Sequence, residues 1–228
     1  MAGTNAAKTP AQPAPAGGWG SLWGNQDVQT VKDLRFGVGV IGTLLPIALI
    51  VGNRALGSTV IIPASMSGSY YTGTRNLFVG SLCALGVFLI FYRHSVLQDL
   101  CTSFAGVCAV IVAFAPTAPS PPKTEPAWIN YLHLSAAGAL LFTLGVFCLV
   151  VFRQSEHGSL YLICGVLVLV SVGLGAYTGL RPTSWSTGWP SLYLFEAIAV
   201  FSFGIAWIAA ALEDNATVDQ QGNRPASA

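Results

Sequence analysis

Polar and charged positions along this chain are bunched, and between the bunches lie long stretches that carry almost none. Six such apolar runs stand at residues 36–52, 76–92, 100–115, 128–152, 159–179 and 191–212. A helix crossing a hydrocarbon layer of ~30 Å needs about 20 mostly apolar residues, and these runs approach or exceed that length. Their apolar residues are continuous rather than alternating. That predicts helices instead of barrel strands, because lipid requires every backbone polar group to be bonded within its own segment. The third run is the shortest and holds Thr102 and Ser103, so a start ahead of Asp99 would complete it. The pattern predicts an all-α fold, a polytopic transmembrane helical bundle of about six spans, with both chain ends on one side.

The flanks read differently. Residues 1–30 are rich in Ala, Pro and Gly and are expected to form a disordered tail, residues 31–213 the membrane domain, and residues 214–228 a second disordered tail. The first run begins only at Phe36, without a compact positive segment and cleavage site near Met1, so no cleaved signal peptide is expected. Trp19 and Trp23, four residues apart, would share a helix face at the membrane interface. Within the runs, Gly80-x3-Ala84 and Gly175-x3-Gly179 place small residues at helix spacing, for packing inside the chain or against a second subunit. Pro46 should kink the first span or remove one of its hydrogen bonds.

Composition excludes a soluble domain: 53% of residues are apolar and 8% charged, against roughly 25% charged in ordinary soluble folds. A formal charge of +1 gives no electrostatic footprint for nucleic acid. All five cysteines fall in or at the apolar runs without a CxxC pair, so neither a disulfide framework nor a zinc knuckle is indicated. No lysine falls inside a run, and no metal or cofactor is expected. With the N-terminus inside, Lys8, Lys32, Arg35, Arg93, Arg153 and Arg224 lie on the inner side and Arg54, Arg75, Lys123 and Arg181 on the outer. The bias points to cytoplasmic termini. The longer connections then face outward.

Ionisable groups inside lipid are costly and mark function or a packing partner. Two stand out: Glu196, five residues into the last run, and His133, five residues into the fourth. Both descend from the outer face to a similar depth, so one shared pocket is expected. Ser67, Tyr70, Tyr71 and Arg75 before the second run, and Tyr177 and Arg181 at the end of the fifth, would add hydroxyls, rings and positive charge on the same side. The plainer alternatives are an interfacial aromatic belt with Trp185 and Trp189, a Glu196 carboxyl that stays protonated or pairs locally with Arg75, Arg181 or His133, and a His133 hydrogen-bonded between helices. Asp99 reads as a solvated acid at a helix start. No GxSxG, HExxH or P-loop is present.

The segments SMSGSYYTGTRNLFVGSLCALGVFLIFYR, LHLSAAGALLF and LYLFEAIAVFSFGIAWI resemble a group of small bacterial six-span membrane proteins of unassigned function. The layout is more loosely similar to the Frag1/DRAM-like class. Arg75-Asn76 and Tyr71-Thr72 depart from the Arg-Asp pair and post-tyrosine histidine usual in the first group. The multiple-histidine pattern of alkaline ceramidase-like hydrolases is missing. The resemblance implies the topology, a bacterial inner membrane and an outer polar site. Three functions follow as expectations: an outer pocket for a lipid, amphiphile or partner subunit; a lipid hydrolase with His133 as base and Glu196 as orienting or acid group; or a structural subunit. Expected partners are membrane lipids and a homo- or hetero-oligomer formed through small-residue helix faces.

Overall fold

The structure, a computed structural model, describes residues 19–117, 127–155, 157–180 and 190–222. Among these described residues are six long helices: α1 (Trp19–Ala55), α2 (Arg75–Phe91), α3 (Val96–Phe114), α4 (Ala127–Val150), α5 (Gly158–Leu180) and α6 (Ser191–Gly222). Among the described residues there is no strand. The third helix starts ahead of Asp99, as its length demanded. Helix α1 begins well before the apolar run, and α6 continues past it, so residues 19–30 and 214–222 extend the helices into the stretches expected as tails.

Five of the six helices are long and apolar enough to cross a membrane, and the chain is an integral membrane protein. Helix α2, with 17 residues, is about 25 Å long and falls just short of the hydrocarbon thickness. It nevertheless runs antiparallel to the same depth of α1: Gly37 lies against Phe88 at one end, and Gly52 against Thr74 and Leu77 at the other. Each helix packs on its neighbours in sequence, and α6 returns to α1 and closes a ring. A contact between α4 and α6 leaves α5 behind that pair. One end of the ring carries the start of α1 and the finish of α6, the terminus end. The other carries the long connections, the loop end.

The close helix pairs are glycine-based, because two backbones meet only where no Cβ intervenes. A methyl at Gly39 would lie 2.8 Å from the Gly204 carbonyl oxygen and 2.7 Å from the Ile208 nitrogen. On the α2–α3 seam, a methyl at Gly86 would lie 2.9 Å from the Gly106 oxygen, and one at Gly106 would lie 2.6 Å from the Gly86 oxygen. The small residues singled out from spacing behave otherwise. Gly80 has open space where its Cβ would be, and Gly175 makes only ordinary side-chain contacts. Spacing identifies a small face without saying what packs on it.

The charge pattern also needs one correction. The apolar part of α1 that can span runs Gln29–Ala55 and so includes Lys32 and Arg35, both buried. Aromatic and polar neighbours make this tolerable. The Arg35 guanidinium donates to the Tyr92 hydroxyl at 2.6 and 3.0 Å and lies 5.4 Å from the ring centres of Tyr92 and Phe152. Around them Trp207 stacks on Phe147 and meets Tyr92, Phe152 and Phe203 edge-on or tilted. This aromatic plug closes the terminus end.

Candidate functional site

The loop end is built where α1 stops. Gly57, at φ +66°, turns the chain out of the helix, with the Ser58 N–H donating to the Asn53 carbonyl and the Gly57 N–H to the Arg54 carbonyl. Asn53, fully buried, then ties the irregular stretch down. Its Nδ2 donates to the Ile61 carbonyl at 3.2 Å, and its Oδ1 accepts from the Thr74 hydroxyl at 3.0 Å. The chain between continues to a short 3₁₀ helix at Ser67–Tyr71, which leads into α2.

Helix α6 holds this segment from the other side. The Met66 N–H donates to Glu196 Oε2 at 2.5 Å, and the Tyr193 N–H donates to the Ala64 carbonyl at 3.1 Å. The Tyr193 hydroxyl donates to the Pro46 carbonyl at 2.7 Å, in α1. The two bonds to Met66 and Ala64 have a common cause: a non-helical backbone within a membrane protein persists only where protein groups satisfy its donors and acceptors. His133, almost fully buried on α4, makes the equivalent tie to the end of α3. Its Nδ1 lies 2.5 Å from the Ala115 carbonyl; a carbonyl only accepts, so Nδ1 carries the proton.

Under this cover lies a cavity of about 70 Å³ at the centre of the ring. Ile41 and Leu45 of α1, Phe78 and Leu82 of α2, and Leu140 and Leu144 of α4 give it apolar walls, while Ser67, His133 and Glu196 supply its polar groups. It has room for several waters or a short stretch of slender apolar chain.

The expected site residues divide. Ser67, His133 and Glu196 line the one cavity, although each bonds to something other than its partners: Ser67 Oγ to Ser65 Oγ at 3.0 Å, His133 to Ala115 and Glu196 to Met66. Tyr70, Tyr71 and Arg75 form a separate, more exposed group. Arg75 donates to the Tyr70 hydroxyl at 2.6 Å with its guanidinium 4.1 Å from the ring centre, and the Tyr71 hydroxyl donates to the Thr117 carbonyl at 2.6 Å. Of the alternative local partners for Glu196, neither Arg75 nor His133 bonds to it among the described residues, where its partner is a backbone amide, and Arg181 lies outside them. Tyr177 is exposed on α5, which contributes nothing to the cavity lining. Arg181, Trp185 and Trp189 lie outside the described residues, as do residues 1–18, Lys123 and residues 223–228; of Trp19 and Trp23 only the helical backbone is described.

A hydrolytic relay needs a nucleophile, base and orienting group joined by hydrogen bonds. Among the described residues no hydrogen bond links Ser67, His133 and Glu196. Sequence reading missed Asn53, Thr74, Tyr193, Tyr92 and Trp207, which do most of the holding. A single Asn at the end of an apolar run was the readable signal for the first. The others look like ordinary span residues. Comparison with protein-family models, curated proteins and solved structures finds no match for this chain.

Proposed function

We propose that this membrane protein binds the slender apolar part of a small amphiphile or lipid in its central cavity, with Ser67, His133 and Glu196 meeting the polar end. The observation that carries the reading is the asymmetry of that cavity. Five of the six helices contribute apolar walls around a space not filled by side chains, and its polar groups are three side chains brought in from three separate segments. Binding sites of this kind are mostly apolar with a few placed polar groups that fix orientation.

The test is mass spectrometry of small molecules extracted from the purified protein and from Ala137→Phe, which places a ring in the cavity. The expected result is an amphiphile retained by the wild type and lost from the variant, with thermal unfolding preserved. Wild-type protein that retains nothing, or a variant that retains every molecule the wild type does and in equal amount, would overturn the proposal.

The same reading places the terminus end in the cytoplasm. Lys32, Arg35, Arg93 and Arg153 lie at that end, against Arg54 and Arg75 at the loop end, and positive residues favour the cytoplasmic side. Cysteines substituted at Ser155 and at Ser58 are expected to react with an impermeant thiol reagent only from inside and only from outside, respectively. Reversed labelling would invert the orientation.

A further inference from the structure

Beside the closed ring, at the terminus end, α1, the end of α2 and the start of α3 leave an open groove of about 470 Å³. That falls within the roughly 300–1,000 Å³ typical of small-molecule sites. Its apolar half is Val31, Leu34 and Phe91, and its polar half is Thr30, Arg93, His94 and Asp99. The central cavity shares none of these residues.

The groove lies where lipid meets water. Immediately next to it, Val96 is 88% exposed and Leu97 and Leu100 are each 67% exposed, and Phe91 on its lining is 64% exposed. Four large apolar side chains so exposed within ten residues mark a surface that lipid or another protein covers, and in a membrane helix pair lipid is the default cover. Arg93 and His94, exposed at the same level, are the charged and ring-nitrogen donors of the short α2–α3 connection. Of the five guanidinium N–H groups of Arg93, Nη1 donates to the Ser103 hydroxyl at 3.2 Å. The opposing charge of Asp99 is engaged locally, its Oδ1 accepting the His94 backbone N–H at 2.7 Å.

We propose that this groove seats the phosphate head of an anionic phospholipid, with Arg93 and His94 donating to the phosphate and the acyl chains lying along Phe91 and the start of α3. Guanidinium forks suit phosphate oxygens, and the apolar half of the groove runs straight into the lipid-facing surface. A free phosphate would use the donors and leave that apolar half uncovered, which is why the lipid is the occupant chosen.

The full-length protein, exchanged into mixed micelles of phosphatidylglycerol and phosphatidylcholine, is examined by native mass spectrometry. Phosphatidylglycerol is expected to be retained preferentially. Arg93→Gln should weaken that retention about fivefold, the effect of one positive charge beside an anionic headgroup, and Arg93→Lys should keep most of it. Retention of phosphatidylcholine, whose choline already offsets its phosphate charge, should fall less than that of phosphatidylglycerol, the thermal midpoint should not move, and added inorganic phosphate should not displace the lipid. If Arg93→Gln fails to fold, His94→Gln is read in its place, with loss in the same direction. Equal retention of the two lipids, unchanged preference in these variants, or displacement by inorganic phosphate would overturn the proposal. Ala137→Phe, which probes the central cavity, is expected to leave this preference intact, so the two sites fail independently.

Discussion

The two ends of this helical ring are closed by different chemistry. At the loop end the chain leaves helix for most of residues 56–74, and side chains from three helices bond to backbone: Glu196 to Met66, Asn53 to Ile61, and His133 to Ala115. At the terminus end the connections are short and the helices run nearly whole, so the interior is closed by side chains against side chains, Arg35 beneath Tyr92 and Phe152 and Trp207 among four rings. The difference follows from what each backbone leaves unmade. Irregular chain exposes donors and acceptors that lipid cannot satisfy, whereas continuous helix exposes only the shape of its side chains. The open cavity lies between the two, reaching from the polar cover as far as Phe203, the ring beside Trp207.

That contrast breaks most directly at the aromatic plug. Trp207→Ala removes a fully buried ring that touches Tyr92, Phe147, Phe152 and Phe203, and should cost about 3–5 kcal/mol, read as a large fall in thermal midpoint. Next comes the α1–α6 seam that joins the two ends. Gly204→Ala would drive a methyl to 2.7 Å from the Gly39 carbonyl oxygen, against backbone that cannot yield, and should cost about 1–3 kcal/mol, while Gly80→Ala stays near wild type in thermal midpoint. At the loop end, Glu196→Leu leaves the Met66 N–H without its acceptor. A loss of about 2 kcal/mol is expected, with faster hydrogen exchange confined to residues 58–72, and Glu196→Gln should restore most of it through its amide oxygen. Smallest is Arg75→Ala, which removes an exposed stacking contact on Tyr70 worth about 0.5 kcal/mol; a shift comparable to that of Glu196→Leu would mean the exposed group is part of the cover after all.

Much of the fold was legible from the residues. Each of the six apolar runs falls on one of the six helices, with α1 and α6 extending past theirs and a third helix that begins ahead of Asp99, because hydrocarbon thickness sets the apolar length and lipid forbids unbonded backbone. The site was legible in part. Glu196 and His133 stood out as ionisable groups at a similar distance into their runs, and they do line one cavity with Ser67. What each would bond to was not legible. Met66 and Ala115 offer only main-chain groups, which every residue possesses and no pattern distinguishes. The seams were equally opaque: Gly39, Gly86, Gly106 and Gly204 make the close approaches, while the more regular spacing at Gly80 faces open space.

From the order of residues alone follow the number of helices, their antiparallel succession and the depth of the two ionisable groups, all consequences of a solvent that penalises charge and unbonded backbone residue by residue. The tertiary structure alone decided that α6 returns to α1, that Arg35 and Lys32 are drawn inside, and that a cavity remains between the polar cover and the aromatic plug. Lipid treats every apolar helix face alike. Which faces meet is set by steric fit between helices, and that fit exists only once all of them are in place.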